Sequence, residues 1–255
     1  MSARPVKVLV DGVDTPPYAW SPRVAEMAAK YIRLVSVDGT LLPYEREPIK
    51  DTGAMIGAAS TLFAGTLIVL TAPGTTTQTC DSRSVLVALE VWGGAGGGGN
   101  GTRGAFGTNG GGGGASGALA YTASQAAAGY VGHDIVCVVG TGGGAGNGNA
   151  GGNSHIYVST STLLGNGGGA GGNASNVAVG TGGVAGTASG GATSNTSGHA
   201  GASGASAPNN GAALAGNISG DGAPYAAGGT GGLSAGSLPV SPSAGGAGAC
   251  VVYIQ

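Results

Sequence analysis

Charged side chains are scarce in this 255-residue sequence, 8% in all, and beyond Arg103 there is no lysine or arginine and the only acids are Asp134 and Asp221. Nucleic acid is bound by clustered Lys and Arg that displace counterions, and an anionic membrane surface is met in the same way. Neither is a partner for residues 104–255. Aromatics make up 5%, so the composition is not that of an ordinary enzyme. Cys80, Cys137 and Cys250 are an odd number without CxxC spacing, which excludes a disulfide framework. Cys137 and Cys250 lie in apolar runs and read as small buried hydrophobes. The first residues, MSARPVKVLVDG, lack the basic, apolar and small-residue regions of a secretory leader, so synthesis in the cytoplasm is expected. The one long uncharged stretch, 54–72, contains Gly57, Ser60, Thr61, Gly65, Thr66 and Thr71. It is too dilute for a membrane span and reads as a small-residue turn or helix followed by a core strand.

What is abundant is glycine, and it is unevenly placed: six of the 58 precede Trp92, and the rest make up about a third of residues 93–255. Residues 1–52 have a conventional composition and read as a small α+β module. Within it VKVLVDG is a strand and turn, and Ser21-Pro22 caps a helix with Val24, Met27, Tyr31 and Leu34 at helical spacing. From 53 to 255 the sequence reads as one glycine-rich domain. Six apolar runs suit strands: TLIVLT (66–71), SVLVALEVW (84–92), GALAY (117–121), DIVCVVG (134–140), SHIYVST (154–160) and ACVVYIQ (249–255). The last run ends the chain and must pair with something earlier.

A glycine-rich stretch is most often a flexible linker, which carries serine and charge, and disorder favours high net charge and few aliphatics. These tracts have the opposite composition and alternate with strands, so an ordered scaffold is expected. The ordered form open to polyglycine is the polyproline II helix, with three residues per turn and about 3.1 Å of rise per residue and no internal hydrogen bonds. Period three is present at Gly98, Gly101, Gly104, Gly107, Gly110 and Gly113, and again at Gly140, Gly143 and Gly146, at Gly165, Gly168 and Gly171, at Gly180, Gly183 and Gly186, and at Gly198, Gly201 and Gly204. Such helices must pair backbone N–H and C=O groups with one another, which only glycine lets approach closely. The overall expectation is therefore a mainly β fold, sandwich-like strands combined with a bundle of polyglycine helices. Glycine density ranks 93–101, 110–114 and 165–172 as interior and 198–204 as rim, and Gly168 as more tightly packed than Gly201.

Chemistry is hard to place. Gly99 to Gly104 fits GxGxxG after a strand, but no amphipathic helix follows and no acid stands near the required distance. A P-loop is excluded because the last lysine is Lys50. His133, His155 and His199 have no metal-ligand spacing, although His133 and Cys137 could share one side of a strand. No GxSxG elbow or carboxylate pair supports a hydrolase. The expectation is no catalytic residue, no metal and no cofactor. What remains is surface, in loops rich in Tyr, Asn, Ser and Thr on a rigid frame. Tyr157, Asn209, Asn210, Tyr225, Leu238, Pro239 and Val240 are the candidate contact residues.

The series TLIVLTAPGTTTQTC, SVLVALEVWGGAGGGG, repeated GGxGG tracts and a closing GGAGACVVYIQ resembles the glycine-rich domain of bacteriophage tail and tail-fibre proteins over roughly residues 65–255. It is similar also to the polyglycine-II sandwich of tail-fibre tip adhesins. The resemblance implies a virion protein, with residues 1–52 joining other tail or fibre proteins, possible homo-oligomerisation, and loops meeting a host receptor, either a glycan or an outer-surface protein. The alternative is a purely structural decoration, collar or fibre protein without a ligand. An ice-binding or matrix-type bundle would instead favour a flat Thr or Ala face and leaves residues 1–52 without a role.

Overall fold

The computed structural model describes residues 66–82, 84, 86–104, 107–146, 149–159, 161–208, 228–229, 231–232 and 241–255, together with four short strands before them. Those four are β1 (Lys7–Val10), β2 (Val13–Asp14), β3 (Leu34–Val35) and β4 (Leu41–Leu42). Next in the chain come β5 (Thr66–Leu70), β6 (Gly74–Thr79), β7 (Leu86–Trp92), β8 (Thr102–Gly104), β9 (Gly107–Asn109) and β10 (Leu119–Ala126). The remainder are β11 (Asp134–Val139), β12 (Ser154–Val158), β13 (Ser161–Gly165), β14 (Ala188–Ser189), β15 (Ser194–Thr196), β16 (Ser206–Pro208) and β17 (Ala249–Ile254). One 3-10 turn, Ala127–Gly129, follows β10. The class is mainly β. Each apolar run that suited a strand forms one. Leu34, the end of the helical pattern, lies in β3, and the rest of that pattern is outside the described residues.

Two sheets face each other. One has seven strands in the order β15-β10-β7-β17-β5-β1-β2, the other five in the order β14-β13-β12-β11-β6. Alternation decides which side chains meet between them. Ile68 and Leu70 of β5, Val87, Leu89 and Val91 of β7, and Cys250 and Val252 of β17 face Ile135, Cys137 and Val139 of β11, Ile156 and Val158 of β12, and Leu163 of β13. Burying each larger side chain contributes about 1.5–3 kcal/mol. The closing strand β17 pairs antiparallel with both β5 and β7, so the end of the chain lies inside the sheet.

The glycine tracts continue the sandwich beyond one end of its strands. The chain enters them after β7, β11 and β13, and leaves them into β10, β12 and β17. Tract 93–100 lies among the others. Gly93, Gly96 and Gly99 donate to the carbonyls of Ala118, Ala115 and Gly112 at 2.9 Å each; Gly94 and Gly97 to Gly152 and Asn149; Ala95 and Gly98 to Gly246 and Ser243. Carbonyls are used with the same spacing. Gly94, Gly97 and Asn100 accept from Gly168, Gly171 and Ala174; Ala95 and Gly98 from Gly143 and Gly146; Gly96 and Gly99 from Gly229 and Gly232. Six segments thus surround one, and each is met at every third residue.

Tract 110–116 is bonded in the same manner to 199–205, 229–232, 169–172, 180–186 and 96–99. The glycines that recur at period three in the sequence are the donors: Gly180, Gly183 and Gly186 donate to Gly110, Gly113 and Ser116, and Gly198, Gly201 and Gly204 donate to Gly186, Gly183 and Gly180. Burial follows the expected ranking: 110–114 is buried throughout, 93–101 is buried up to Gly99 with Asn100 exposed and Gly101 intermediate, 165–172 is buried or intermediate, and 198–204 is intermediate or exposed. Between the tracts 93–101 and 110–114, β8 and β9 pair antiparallel and the chain reverses, so the period-three glycines from Gly98 to Gly113 belong to separate segments. One expectation needs correction. Gly201 is packed as tightly as Gly168: a Cβ would collide with the carbonyl of Gly113 at Gly201 and with that of Ala115 at Gly168. A rim tract still points every third residue inward.

Candidate functional site

The described surface bearing the largest exposed aromatic is the outer face of the five-stranded sheet. β12, SHIYV, alternates between core and solvent, with Ser154, Ile156 and Val158 buried and His155 and Tyr157 on the other face. Tyr157 is 44% exposed. The two rings stand edge to face, centroids 4.4 Å apart with 62° between their planes, a favoured aromatic geometry. Cross-strand pairing surrounds them with Val138 and Leu164 beside His155, and Val136 and Thr162 beside Tyr157. Beyond β11 lies β6, where Thr75 and Thr77 are exposed opposite Val138 and Val136. At the end of the face, Thr79 donates from Oγ1 to Asp134 Oδ1 at 3.3 Å. Partial burial lowers the His155 pKa below its ordinary 6.5, so the imidazole is neutral at pH 7. The face is thus a ring pair set in an apolar strip, edged by threonine hydroxyls, with one carboxylate at its margin.

Of the seven candidate contact residues, Tyr157 is on this face. Asn209, Asn210, Tyr225, Leu238, Pro239 and Val240 lie outside the described residues. In the sequence His155 stands out only as a possible metal ligand, yet the period-two alternation of SHIYV already places it beside Tyr157. His133 is exposed just before β11, while Cys137 points into the core, so they do not share a side. Among the described residues no group of three or more His, Cys, Asp or Glu could hold a metal ion. The GxGxxG stretch runs from the glycine array into β8, with no helix after it. Cys80, Cys137 and Cys250 are buried free thiols. The pKa of Cys250 is raised well above the ordinary value, chiefly by its hydrogen bond with Cys137 and then by burial. No described helix is long and apolar enough to cross a membrane.

No protein-family model matches the chain, and no curated protein is significantly similar to it.

Proposed function

We propose that the chain is a bacteriophage tail or tail-fibre protein, that its glycine tracts are short polyglycine II helices, and that it binds a host-surface receptor. The observation that carries the scaffold reading is the bonding of 93–100 to six segments at every third residue. A helix of three residues per turn directs its successive N–H groups to three sides. Glycine allows the backbones to meet, as the collisions that a Cβ would cause at Gly96, Gly97 and Gly99 illustrate. Such an array holds the sandwich and its surface rigid without needing charge.

The receptor reading draws on the His155–Tyr157 face. A neutral, ring-bearing strip edged by Thr75, Thr77 and Thr162 suits a neutral glycan: the rings offer an apolar platform to sugar C–H groups, and the hydroxyls offer donors and acceptors. Residues 1–52 would join the chain to its neighbours on the particle.

The test is adsorption by particles carrying Tyr157→Ala together with His155→Ala. Both side chains face away from the core, so assembly and melting temperature should hold. Adsorption should fall about tenfold or more, the loss expected when a binding anchor is truncated. Adsorption at the unmodified rate would favour a purely structural virion protein.

A further inference from the structure

The edges of the two large sheets differ in length. The seven-stranded sheet ends in β15 and β2, of three and two residues, and the five-stranded sheet ends on one side in the two residues of β14. Edges so short offer little to pair with, which is a common protection against unwanted association. The remaining edge, β6, is six residues long. It pairs with β11 from Gly74↔Val139 to Thr79↔Asp134 in unbroken register, and no described strand lies on its other side. Five of its six residues are exposed. GTTTQT contains no Lys, Arg, Asp, Glu or Pro, so neither charge, proline nor bulge guards this edge against an added strand.

We infer that β6 is the pairing edge for a second copy of the chain, so that two five-stranded sheets join through antiparallel β6 strands into one sheet of ten. The occupant follows from the strand's own sequence. Thr75, Thr77 and Thr79 fill one row of β6, because alternate residues share a face. A two-fold axis normal to the sheet reverses the strand and keeps its faces. Every pair that this row makes within β6 is therefore threonine on threonine, in any register that respects the pleat. Such pairs hydrogen-bond through their hydroxyls and favour a sheet. With no charge on the strand, two copies do not repel one another. The same axis turns the outer faces of both copies to one side. The two β12 strands then stand five strand spacings apart, about 24 Å. If Tyr157 and His155 hold a glycan, a consequence that rests on the receptor reading above, a repetitive glycan can meet both faces at once with the gain of bivalence.

Sedimentation velocity of the purified full chain tests the pairing without any receptor. The edge is short beside a stable interface of roughly 800 Å² per partner, so monomer and dimer should exchange with concentration. Thr76→Lys should raise the dissociation constant about tenfold or more, since the added charge enters both copies at the middle of the edge. Thr76 is exposed and lies in the other row, so the melting temperature should hold and the ring face is untouched. A chain that remains monomeric at about 1 mM, or a dimer that the folded variant keeps, overturns the inference. A spin label attached at Thr77→Cys decides the matter even where the first substitution disturbs folding, because the three native thiols are buried and should not take the label. Opposed Cβ atoms of paired strands lie about 5 Å apart and diagonal ones about 7–8 Å, so the two labels of a dimer should couple strongly in either register of greatest overlap. A dimer whose labels show no such coupling overturns the inference too.

Discussion

Gly143 and Gly144 are adjacent, equal in composition and opposite in consequence. A Cβ on Gly143 would strike the carbonyl of Asn149 and stand 2.6 Å from the Gly97 amide, both of them backbone. On Gly144 the nearest atom is Asn149 Nδ2, the end of a movable side chain, at 3.2 Å. Gly143→Ala should therefore destabilise by about 1–3 kcal/mol, the cost of overpacking. Gly144→Ala should fall within about 0.5 kcal/mol of the unmodified chain, because a less flexible unfolded state offsets the small crowding. Calorimetric melting of the two variants checks this, and equal losses would contradict it. The same contrast explains what the sequence concealed. Density of glycine distinguished buried tracts from rim tracts, but it ranked Gly168 above Gly201, which meet carbonyls equally closely. What decides is the residue's position in the every-third-residue pattern of bonds to its neighbours, and a rim tract still has one inward row.

At the scale of an element, the arrangement gives a tract a periodic protection that neither a helix nor a strand would show. In 93–99 all seven amides donate to other tracts, so all should exchange slowly with deuterium. In the rim tract, Gly198, Gly201 and Gly204 donate to 180–186, and the amide of His199 donates to Ser116 Oγ at 2.7 Å. Ala200, Ala202 and Ser203 are exposed and should exchange freely between their slow neighbours. Residue-resolved exchange by NMR checks the alternation; uniform rates across 198–204 would contradict it. Strands were more legible than tracts because alternation of apolar residues is a local signal. Two of the strands that escaped show its limit: β6 is GTTTQT, an exposed edge strand with no apolar face, and β13 is STLLG, short and glycine-ended. The candidate surface was half legible for the same reason. Tyr157 stands out as an aromatic, but its neighbours Val136, Val138, Thr75 and Thr77 come from strands brought beside it by pairing that no local pattern specifies.

For the molecule as a whole, the order of the chain and the order of the sheet are at odds. β17, the last strand, pairs with β5 on one side and β7 on the other. Until it arrives, two parts of the seven-stranded sheet have no connection through their backbones, and the core lacks Cys250 and Val252. The opposite face lacks Val251 and Tyr253. Contacts so distant in sequence carry a large loop-closure cost before they contribute, so folding should be slow and should complete only after the whole chain is made. Removing residues 249–255 deletes several fully buried side chains, each worth about 1.5–3 kcal/mol. The sum is comparable with the roughly 5–15 kcal/mol that holds a domain together. A chain ending at Gly248 should accordingly accumulate as insoluble protein, exposing the edges of β5 and β7. Refolding it with a synthetic peptide of sequence GACVVYIQ should recover soluble protein, because the missing strand fills a gap that both of its neighbours specify. Soluble, cooperatively melting protein from the shortened chain alone would show that the sheet closes without its central strand, and the closing role of β17 would not survive that result.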